Sequence, residues 1–247
     1  MHSLYANLLN ETEKLWRQRR TKGFLLLALI LPVATVLLSS LLKIRAGMLF
    51  GLEGSLPVAM LHLFTFAIIP LYMAAAAAHS FAGEVAARTM KLVLLRPVTR
   101  ARTYASKVIA IAVFAALCLG VLWIASTVSA WAVGGTAGGM ADSLKAYAAS
   151  FVPMMAIGLV CVFIAQLFSS GTSALMTIVL IYAAAKALPL LLPQLSAWSV
   201  FSYTRWDVLW TGSGAPAGTL LNTFLLQLSY IIMAYAAGLM MFARKQL

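Results

Sequence analysis

Six long apolar segments constrain the fold of this chain more than any other feature of its sequence. The chain has 247 residues, of which 63% are hydrophobic and 10% are charged, whereas a soluble domain carries roughly 25% charged residues. Each segment is close to the roughly 20 apolar residues that an α-helix needs to cross a bilayer. We therefore predict an all-α membrane protein that forms one transmembrane domain over residues 1–247. The predicted spans cover about residues 24–42, 57–79, 107–133, 147–168, 172–193 and 219–242.

The distribution of basic residues predicts how these spans are oriented. The formal net charge is +12, but the bases lie in short segments between apolar runs and form no basic domain, so we expect no nucleic-acid partner. The N-terminal tail, the loop 80–106 together with Lys107, and the C-terminus hold 13 of the 18 Lys and Arg, and the opposite loops hold four. Since cytoplasmic loops are enriched in Lys and Arg, we predict a multi-pass protein with both termini cytoplasmic.

The sequence contains none of the common catalytic or metal-binding motifs. It has no G-x-x-x-x-G-K-[ST], H-E-x-x-H, C-x-x-C or G-x-S-x-G pattern. Its three histidines are far apart, and its six acidic residues form no evident carboxylate pair. Cys118 and Cys161 lie within apolar segments, so we expect small buried residues and no disulfide. We therefore expect no catalytic residue, metal or cofactor on this chain, and any ATP site to lie on a partner chain.

Residues 3–22, ahead of the first span, are predicted to form an amphipathic helix. Glu13 precedes Arg17 by four residues, the order that favours a helical ion pair. A basic face opposite Leu and Trp suits a helix that lies among the cytoplasmic headgroups. The alternative is a basic tail that only sets topology, and the periodicity favours the helix. The periodic residues are Leu4, Tyr5, Leu8, Leu9, Thr12, Leu15 and Trp16.

The loop between the second and third spans has more pattern than an orientation signal requires. Glu84 and Arg88 are four residues apart, so a helix would pair them on one face. Residues 92–95 form an apolar patch, and Pro97 disfavours helix at the residue before it. Thr99 is a candidate N-cap for a new helix that leads into the third span. A short helix with an apolar patch and a rigid stop suits a groove on a partner protein.

At these residues the chain resembles the type-2 ABC transporter permease family. Members commonly begin this loop with Phe-x-x-Glu, continue with a Thr–apolar–Lys–Leu segment and an Arg-Pro-x-[ST]-Arg turn, and carry a lysine at the next span. Arg88 departs from the pattern, because the family often has glycine there. The matching residues are Phe81, Glu84, Thr89 to Leu92, Arg96 to Arg100 and Lys107, and Glu13 to Leu15 look like the family's helix before the first span.

The resemblance implies the membrane subunit of a bacterial ABC exporter in the inner membrane. Two such permeases, identical or related, would pair, and each would dock one cytoplasmic ABC ATPase that carries ATP and Mg²⁺. The loop 80–106 would be the coupling loop through which closure of the ATPase dimer moves the spans. The cargo would be amphipathic or hydrophobic, such as a peptide antibiotic, a drug or a lipid, which connects the family to antibiotic and multidrug resistance. The expected coupling residues are Glu84, Arg88, Lys91, Leu92, Leu94, Arg96, Pro97 and Arg100, of which the arginines at 96 and 100 would meet headgroups or the ATPase.

Lys186 is the main ionisable residue predicted inside a span. If its span begins inside at Thr172, the helical rise of ~1.5 Å per residue places Lys186 about 21 Å away, in the outer third of the bilayer. It either snorkels to the outer headgroups or lines a substrate path, and both interpretations stay open. His62 and Gln227 are expected at a similar depth on the second and sixth spans.

Residues 194–218, between the last two spans, are too many for a simple turn. They include Trp198, Trp206 and Trp210, three of the six tryptophans of the chain. The segment resembles the outer re-entrant or interfacial helices of the family, and an ordinary aromatic belt is the alternative. An outer aromatic lid would suit the release of an amphipathic cargo.

Two functions follow from these patterns. The first is the membrane subunit of an ATP-driven exporter. The alternative is a non-transport membrane anchor, or a sensory or assembly subunit, that recruits an ATPase. An ion-coupled carrier or an intramembrane enzyme is disfavoured because acids and histidines are scarce within the spans. Cargo-dependent stimulation of ATP turnover, together with vectorial movement of the cargo, separates the first two.

Overall fold

A computed structural model describes residues 2–42, 55–88, 99–132, 139–191, 199–210 and 215–244. Within these ranges the chain forms α-helices and one 3₁₀ helix, and no strand. This agrees with the predicted all-α class. In chain order the elements are α1 (His2–Arg17), α2 (Arg19–Leu42), α3 (Leu56–Ala86), α4 (Arg100–Ala132), α5 (Met140–Ala165), α6 (Gly171–Leu191), the 3₁₀ helix (Val200–Leu209) and α7 (Ala217–Arg244).

The six predicted spans correspond to α2 through α7, each long and apolar enough to cross a membrane. Several helix ends lie further out than predicted: the third span begins at Arg100 and the second continues to Ala86. Helix α4 has 33 residues, which at ~1.5 Å per residue gives about 50 Å, against a hydrocarbon core of roughly 30 Å. The apolar pattern therefore marks only the part of a helix that lies in lipid, and the helix continues through polar residues beyond it.

The N-terminal helix is shorter than predicted, because α1 ends at Arg17 and α2 begins at Arg19. Residues 19–22, which were expected in the amphipathic helix, therefore belong to the first span. The predicted ion pair between Glu13 and Arg17 is present, with 2.6 Å between a carboxylate oxygen and Nη2, on the exposed side of the helix. The break at Gln18 separates α1 from the span that follows.

One side of helix α1 packs against the rest of the protein. Leu15 is buried, and the Trp16 ring stacks on that of Phe114 in α4 with 6.0 Å between the centroids. Tyr5 and Leu9 remain exposed on the surface of the structure. The apolar residues of the predicted amphipathic stripe are thus divided, and part of them forms a contact with α4.

Helices α3, α4 and α5 form the centre of the bundle. In each of these helices, half or more of the most apolar 18-residue stretch is buried, whereas only 11% of the corresponding stretch is buried in α6 and in α7. The alanines at 76, 77 and 78 in α3 are buried, as expected of small residues that let helices approach closely. Cys118 and Cys161 are buried and free, in agreement with their predicted role as small core residues. Helices α6 and α7 present most of their surface outward.

Helix α3 is irregular at Phe64–Ile68 and at Ala78–Gly83, where it forms π-helical turns. Pro70 follows the first of these turns and has no N–H to donate to the carbonyl of Phe66, four residues earlier. The hydroxyl of Tyr182 in α6 donates to this carbonyl instead. A side chain of the fifth span thereby donates to a backbone carbonyl to which the proline cannot donate, as happens at prolines in membrane helices.

Candidate functional site

Four charged side chains from three helices meet inside the structure, and we call them the charge cluster: Glu11, Lys14, Glu84 and Lys107. Lys107 Nζ donates to Glu84 Oε1 at 2.7 Å and to Glu11 Oε1 at 3.0 Å. The ammonium group of Lys14 donates to the same oxygen of Glu84. Glu11 and Lys14 lie on α1, Glu84 on α3 and Lys107 on α4. One set of ion pairs therefore joins three helices.

The charged groups of the cluster are buried, so each of them needs an opposite charge close by. The exposed fraction is 0% for the Lys107 side chain, 4% for Glu84 and 6% for Glu11, and only Lys14 is partly exposed at 39%. Burying an unpaired charge costs several kcal/mol, so two carboxylates and two ammonium groups neutralise one another. Removing one partner of a buried pair costs about 3–5 kcal/mol, because a charge is then left uncompensated. The cluster therefore fixes α1, α3 and α4 relative to one another.

The cluster lies beside both ends of the predicted coupling segment. Glu84 is in the last turn of α3, and Lys107 is two turns into α4. Residues 89–98, which connect these helices, are outside the described residues. The segment joins α3 to α4 in the sequence, and the cluster connects both helices to α1.

Arg88 lies just beyond the end of α3 in a conformation that side chains disfavour. Its φ is 56°, in the left-handed region that glycine adopts at helix ends. The N–H of Ala87 donates to the Gly83 carbonyl at 2.9 Å, and the N–H of Arg88 donates to the Val85 carbonyl at 3.1 Å. The resemblance leads one to expect glycine at this position. The left-handed turn that ends α3 gives the physical reason, because glycine adopts this conformation without strain.

The predicted pairing of Glu84 with Arg88 on one helix face is not formed. Arg88 lies beyond the end of the helix, so the four-residue spacing does not bring the two side chains together. Glu84 instead binds Lys14 and Lys107. An acid in the last turn of a helix is disfavoured by the helix dipole, and these two cations compensate it.

The start of α4 is capped as predicted, since the N–H of Arg102 donates to Thr99 Oγ1 at 3.4 Å. Arg100 Nη1 donates to the carbonyl of Ala243 at 2.6 Å, in the last turn of α7, where carbonyls have no partner within the helix. Its expected contact with headgroups or an ATPase stays a prediction. The same holds for five coupling residues that lie outside the described residues: Lys91, Leu92, Leu94, Arg96 and Pro97.

Sequence reasoning identified Glu84 and the lysine at the start of the third span but missed Glu11 and Lys14 as their partners. One feature of the sequence does point to Glu11. Glu11 lies between Leu8 and Leu15 at helical spacing, so an acid interrupts an apolar stripe of α1. A charge on the buried side of a helix requires an opposite charge on the element that covers it. The sequence does not show which element that is.

At the opposite end of the bundle, two polar contacts hold the 3₁₀ helix. His62 Nε2 donates to Asp207 Oδ2 at 2.8 Å, and both side chains are buried. Lys186 Nζ donates to Thr204 Oγ1 at 2.6 Å. His62 is on α3 and Lys186 on α6, so two predicted path residues reach the same 3₁₀ helix through different partners.

The two ends of the bundle are separated by the length of α3. His62 precedes Glu84 by 22 residues, which at ~1.5 Å per residue corresponds to roughly 33 Å. This is close to the roughly 30 Å thickness of a bilayer core. The charge cluster and the 3₁₀ helix therefore lie on opposite sides of the apolar part of the protein.

Gln227, the third predicted path residue, is fully buried in α7. Within the described part of the chain, neither of its amide atoms has a hydrogen-bond partner. Three residues earlier, Phe224 stacks on Trp206 of the 3₁₀ helix with 6.3 Å between the ring centroids. Residues three apart share a helix face, so Gln227 lies on the side of α7 that meets the 3₁₀ helix. An unpaired buried amide costs about 1–3 kcal/mol, which marks Gln227 as an unusual polar position.

The predicted aromatic segment is partly a packed element of the protein. Trp206 is 2% exposed and Trp210 is 45% exposed, and their rings meet edge to face with 5.4 Å between the centroids. An aromatic belt would place both rings among headgroups, so the buried Trp206 favours a segment that packs on the bundle. Burial, and then the nearby Tyr230, raise the pKa of Tyr203 in this segment. Trp198 lies outside the described residues, and the role of a lid stays a prediction.

Comparison with known proteins gives the family. No curated protein matches the sequence. A family model described as ABC-2 family transporter protein matches residues 8–192, a range that includes all four residues of the charge cluster. The family consists of membrane components of ABC transporters, which act with an ATPase subunit. Because the match covers most of the sequence and the six apolar helices have the expected form, the chain belongs to the ABC-2 family of transporter proteins.

Proposed function

We propose that this protein is the membrane-spanning permease subunit of an ATP-driven exporter. It would pair with a second permease, identical or related, and with two copies of a cytoplasmic ABC ATPase that binds ATP and Mg²⁺. Its cargo would be amphipathic or hydrophobic, such as a peptide antibiotic, a drug or a lipid-like molecule. The family supports the transporter role, and the direction and the cargo are our proposal.

The charge cluster is the observation that supports this proposal most directly. An ATPase that docks on the segment between α3 and α4 would pull on Glu84 and Lys107, which border it. Separating these buried ions would cost about 3–5 kcal/mol, so α1, α3 and α4 would move as one body. Because α3 continues to the opposite end of the bundle, this movement would reach His62 and the 3₁₀ helix.

The test is to coexpress the tagged chain with each lone ABC ATPase of its own genome, beginning with any that is encoded next to it, and to reconstitute the purified complex in vesicles. Suitable test cargoes are a fluorescent phospholipid, a hydrophobic dye and an amphipathic peptide antibiotic. We expect one ATPase to copurify, its ATP turnover to rise with a cargo, and that cargo to cross the vesicle membrane.

A matched pair of variants tests the role of the cluster. Glu11→Gln removes one acid of the cluster. Glu13→Gln removes an acid two residues away on the same helix, which pairs with Arg17 on the surface. We expect Glu11→Gln to lower cargo-stimulated ATP turnover several-fold, and Glu13→Gln to leave it unchanged, because exposed ion pairs contribute little. Equal effects of the two variants would contradict the proposed route of coupling.

The non-transport alternative predicts a different result. An anchor or sensory subunit would copurify with the ATPase, but no cargo would change ATP turnover or move across the membrane. If no ATPase of the genome binds the chain at all, both the exporter and the anchor are wrong.

A further inference from the structure

An elongated cavity of about 430 Å³ lies between α3 and α6. Its volume is in the range of small-molecule sites in proteins, roughly 300–1,000 Å³. Along α3 its lining runs from Phe66 to Ala74, eight residues, which at ~1.5 Å per residue is roughly 12 Å. Along α6 it runs from Ile178 to Ala187. The two helices provide an almost wholly apolar wall.

Among the described residues that line the cavity, Lys186 is the charged one, and it lies at the end of the cavity that faces the 3₁₀ helix. Its Nζ is 5.1 Å from the ring centroid of Phe66 and 5.9 Å from that of Tyr182, and both rings also line the cavity. One of its three N–H donors goes to Thr204. Aromatic faces attract an ammonium group but leave its net charge in place.

Lys186 has no carboxylate partner within the part of the chain that the structure describes. The acids in ion pairs there are bound to Lys14, Arg17, His62, Lys107 and Lys145. A charge inside a membrane span normally pairs with another group. An anion that approaches from the cavity would meet the two remaining N–H donors, and a charge-assisted hydrogen bond would form.

We propose that this cavity binds an amphiphile with an anionic head, with the carboxylate or phosphate at Lys186 and the apolar chain extended toward Ala74. The assignment of this amphiphile as cargo rests on the proposed exporter function, whereas its binding does not require the ATPase. Snorkelling to the membrane surface does not require an elongated apolar cavity beside the lysine, whereas binding an apolar chain does.

The binding test uses the full chain in phosphatidylcholine nanodiscs and three probes with the same chain length: laurate, dodecyl phosphate and dodecanol. We expect Lys186→Gln to weaken the two anionic probes about tenfold, which corresponds to one charged hydrogen bond, and to leave dodecanol unchanged. Lys186→Arg should retain most of the affinity for the anions. If Lys186→Gln leaves the affinity for laurate and dodecyl phosphate unchanged, the proposal is wrong.

A second pair of variants tests the cavity itself without touching the charge. Ala183 lines the cavity and Ala184, the next residue, does not, and both are exposed in α6. Ala183→Phe should fill the cavity and weaken all three probes, while Ala184→Phe should change none of them. Equal effects of the two substitutions would overturn the assignment, even if Lys186→Gln destabilised the fold.

The source of the amphiphile is settled by two further measurements. If membrane lipid occupies the cavity, phosphatidylglycerol in the nanodisc will compete with laurate in the wild type and not in Lys186→Gln. If cargo occupies it, laurate or dodecyl phosphate will raise ATP turnover in the reconstituted transporter. Binding that depends on Lys186 in a chain that recruits no ATPase would support the site and contradict only the exporter function. An active exporter with no such binding would do the reverse.

Discussion

Arg88 is in a left-handed backbone conformation, with φ at 56°. This conformation costs a residue with a Cβ roughly 1–2 kcal/mol, and glycine adopts it freely. The Arg88 side chain is exposed, so its removal should disturb no packing. We expect Arg88→Gly to increase the free energy of unfolding by about 1 kcal/mol, measured by thermal or denaturant unfolding in detergent.

The control for this prediction is Arg88→Ala. Alanine removes the guanidinium group as glycine does but keeps the Cβ, so the backbone cost remains. If Arg88→Ala stabilised the chain as much as Arg88→Gly, the charge of the arginine would be the cause, and the backbone explanation would be wrong.

Gly238 in α7 makes a close contact that no larger residue fits. A Cβ at this position would lie 2.3 Å from Tyr104 Oη and 3.1 Å from Gln166 Nε2. Tyr104 is itself fully buried, so its ring has little room to move. We expect Gly238→Ala to destabilise the chain by about 1–3 kcal/mol, the usual cost of overpacking. Gly120 in α4 has no atom near such a Cβ, and Gly120→Ala should stabilise slightly, by about 0.5–1 kcal/mol. The same sign for both substitutions would contradict the close contact.

At the scale of elements, α3 depends on a neighbouring helix at its proline. Pro70 has no N–H to donate to the Phe66 carbonyl, and the Tyr182 hydroxyl of α6 donates to this carbonyl. Tyr182→Phe should therefore lower the free energy of unfolding by about 1 kcal/mol, the net value of one hydrogen bond.

A double-mutant cycle shows whether the proline causes this dependence. Pro70→Ala restores an N–H that can donate to Phe66, so Tyr182→Phe should cost less in that background than in the wild type. The measurement is unfolding of the four proteins under one set of conditions. An equal cost in both backgrounds would mean that Tyr182 acts through packing alone.

The elements also show what a sequence can and cannot predict here. The six spans were predictable because a bilayer selects length and apolarity, which are local properties. The start of α4 was predictable from Thr99 because an N-cap acts within three residues. The partners of Lys107 were not, because Glu11 lies 96 residues away and periodicity gives only the side of a helix. The contacts of Lys186 and His62 with the 3₁₀ helix depend in the same way on packing between distant segments.

At the scale of the whole molecule, polar contacts are concentrated at two ends that a mostly apolar bundle separates. Arg100, at the start of α4, donates to a carbonyl at the end of α7, so that helix end lies on the same side as the charge cluster and α1. The 3₁₀ helix, with Asp207, lies on the other side. Helix α3 takes part in both polar groups, through Glu84 and His62. It is therefore the most direct connection between the two surfaces.

The charge distribution predicts which side of the membrane each end faces, and labelling can test this. A chain with Cys118→Ala and Cys161→Ala lacks both native thiols and accepts single cysteines at exposed positions of either end. Positive-inside bias places the end with Arg17→Cys and Arg244→Cys in the cytoplasm, and the end with Asp142→Cys and Arg205→Cys outside. A membrane-impermeant maleimide should therefore label only the second pair in intact cells, and all four after permeabilisation. If only the first pair were labelled in intact cells, the orientation would be the opposite of the predicted one. The charge cluster would then lie outside the cell, where no cytoplasmic ATPase could act on it.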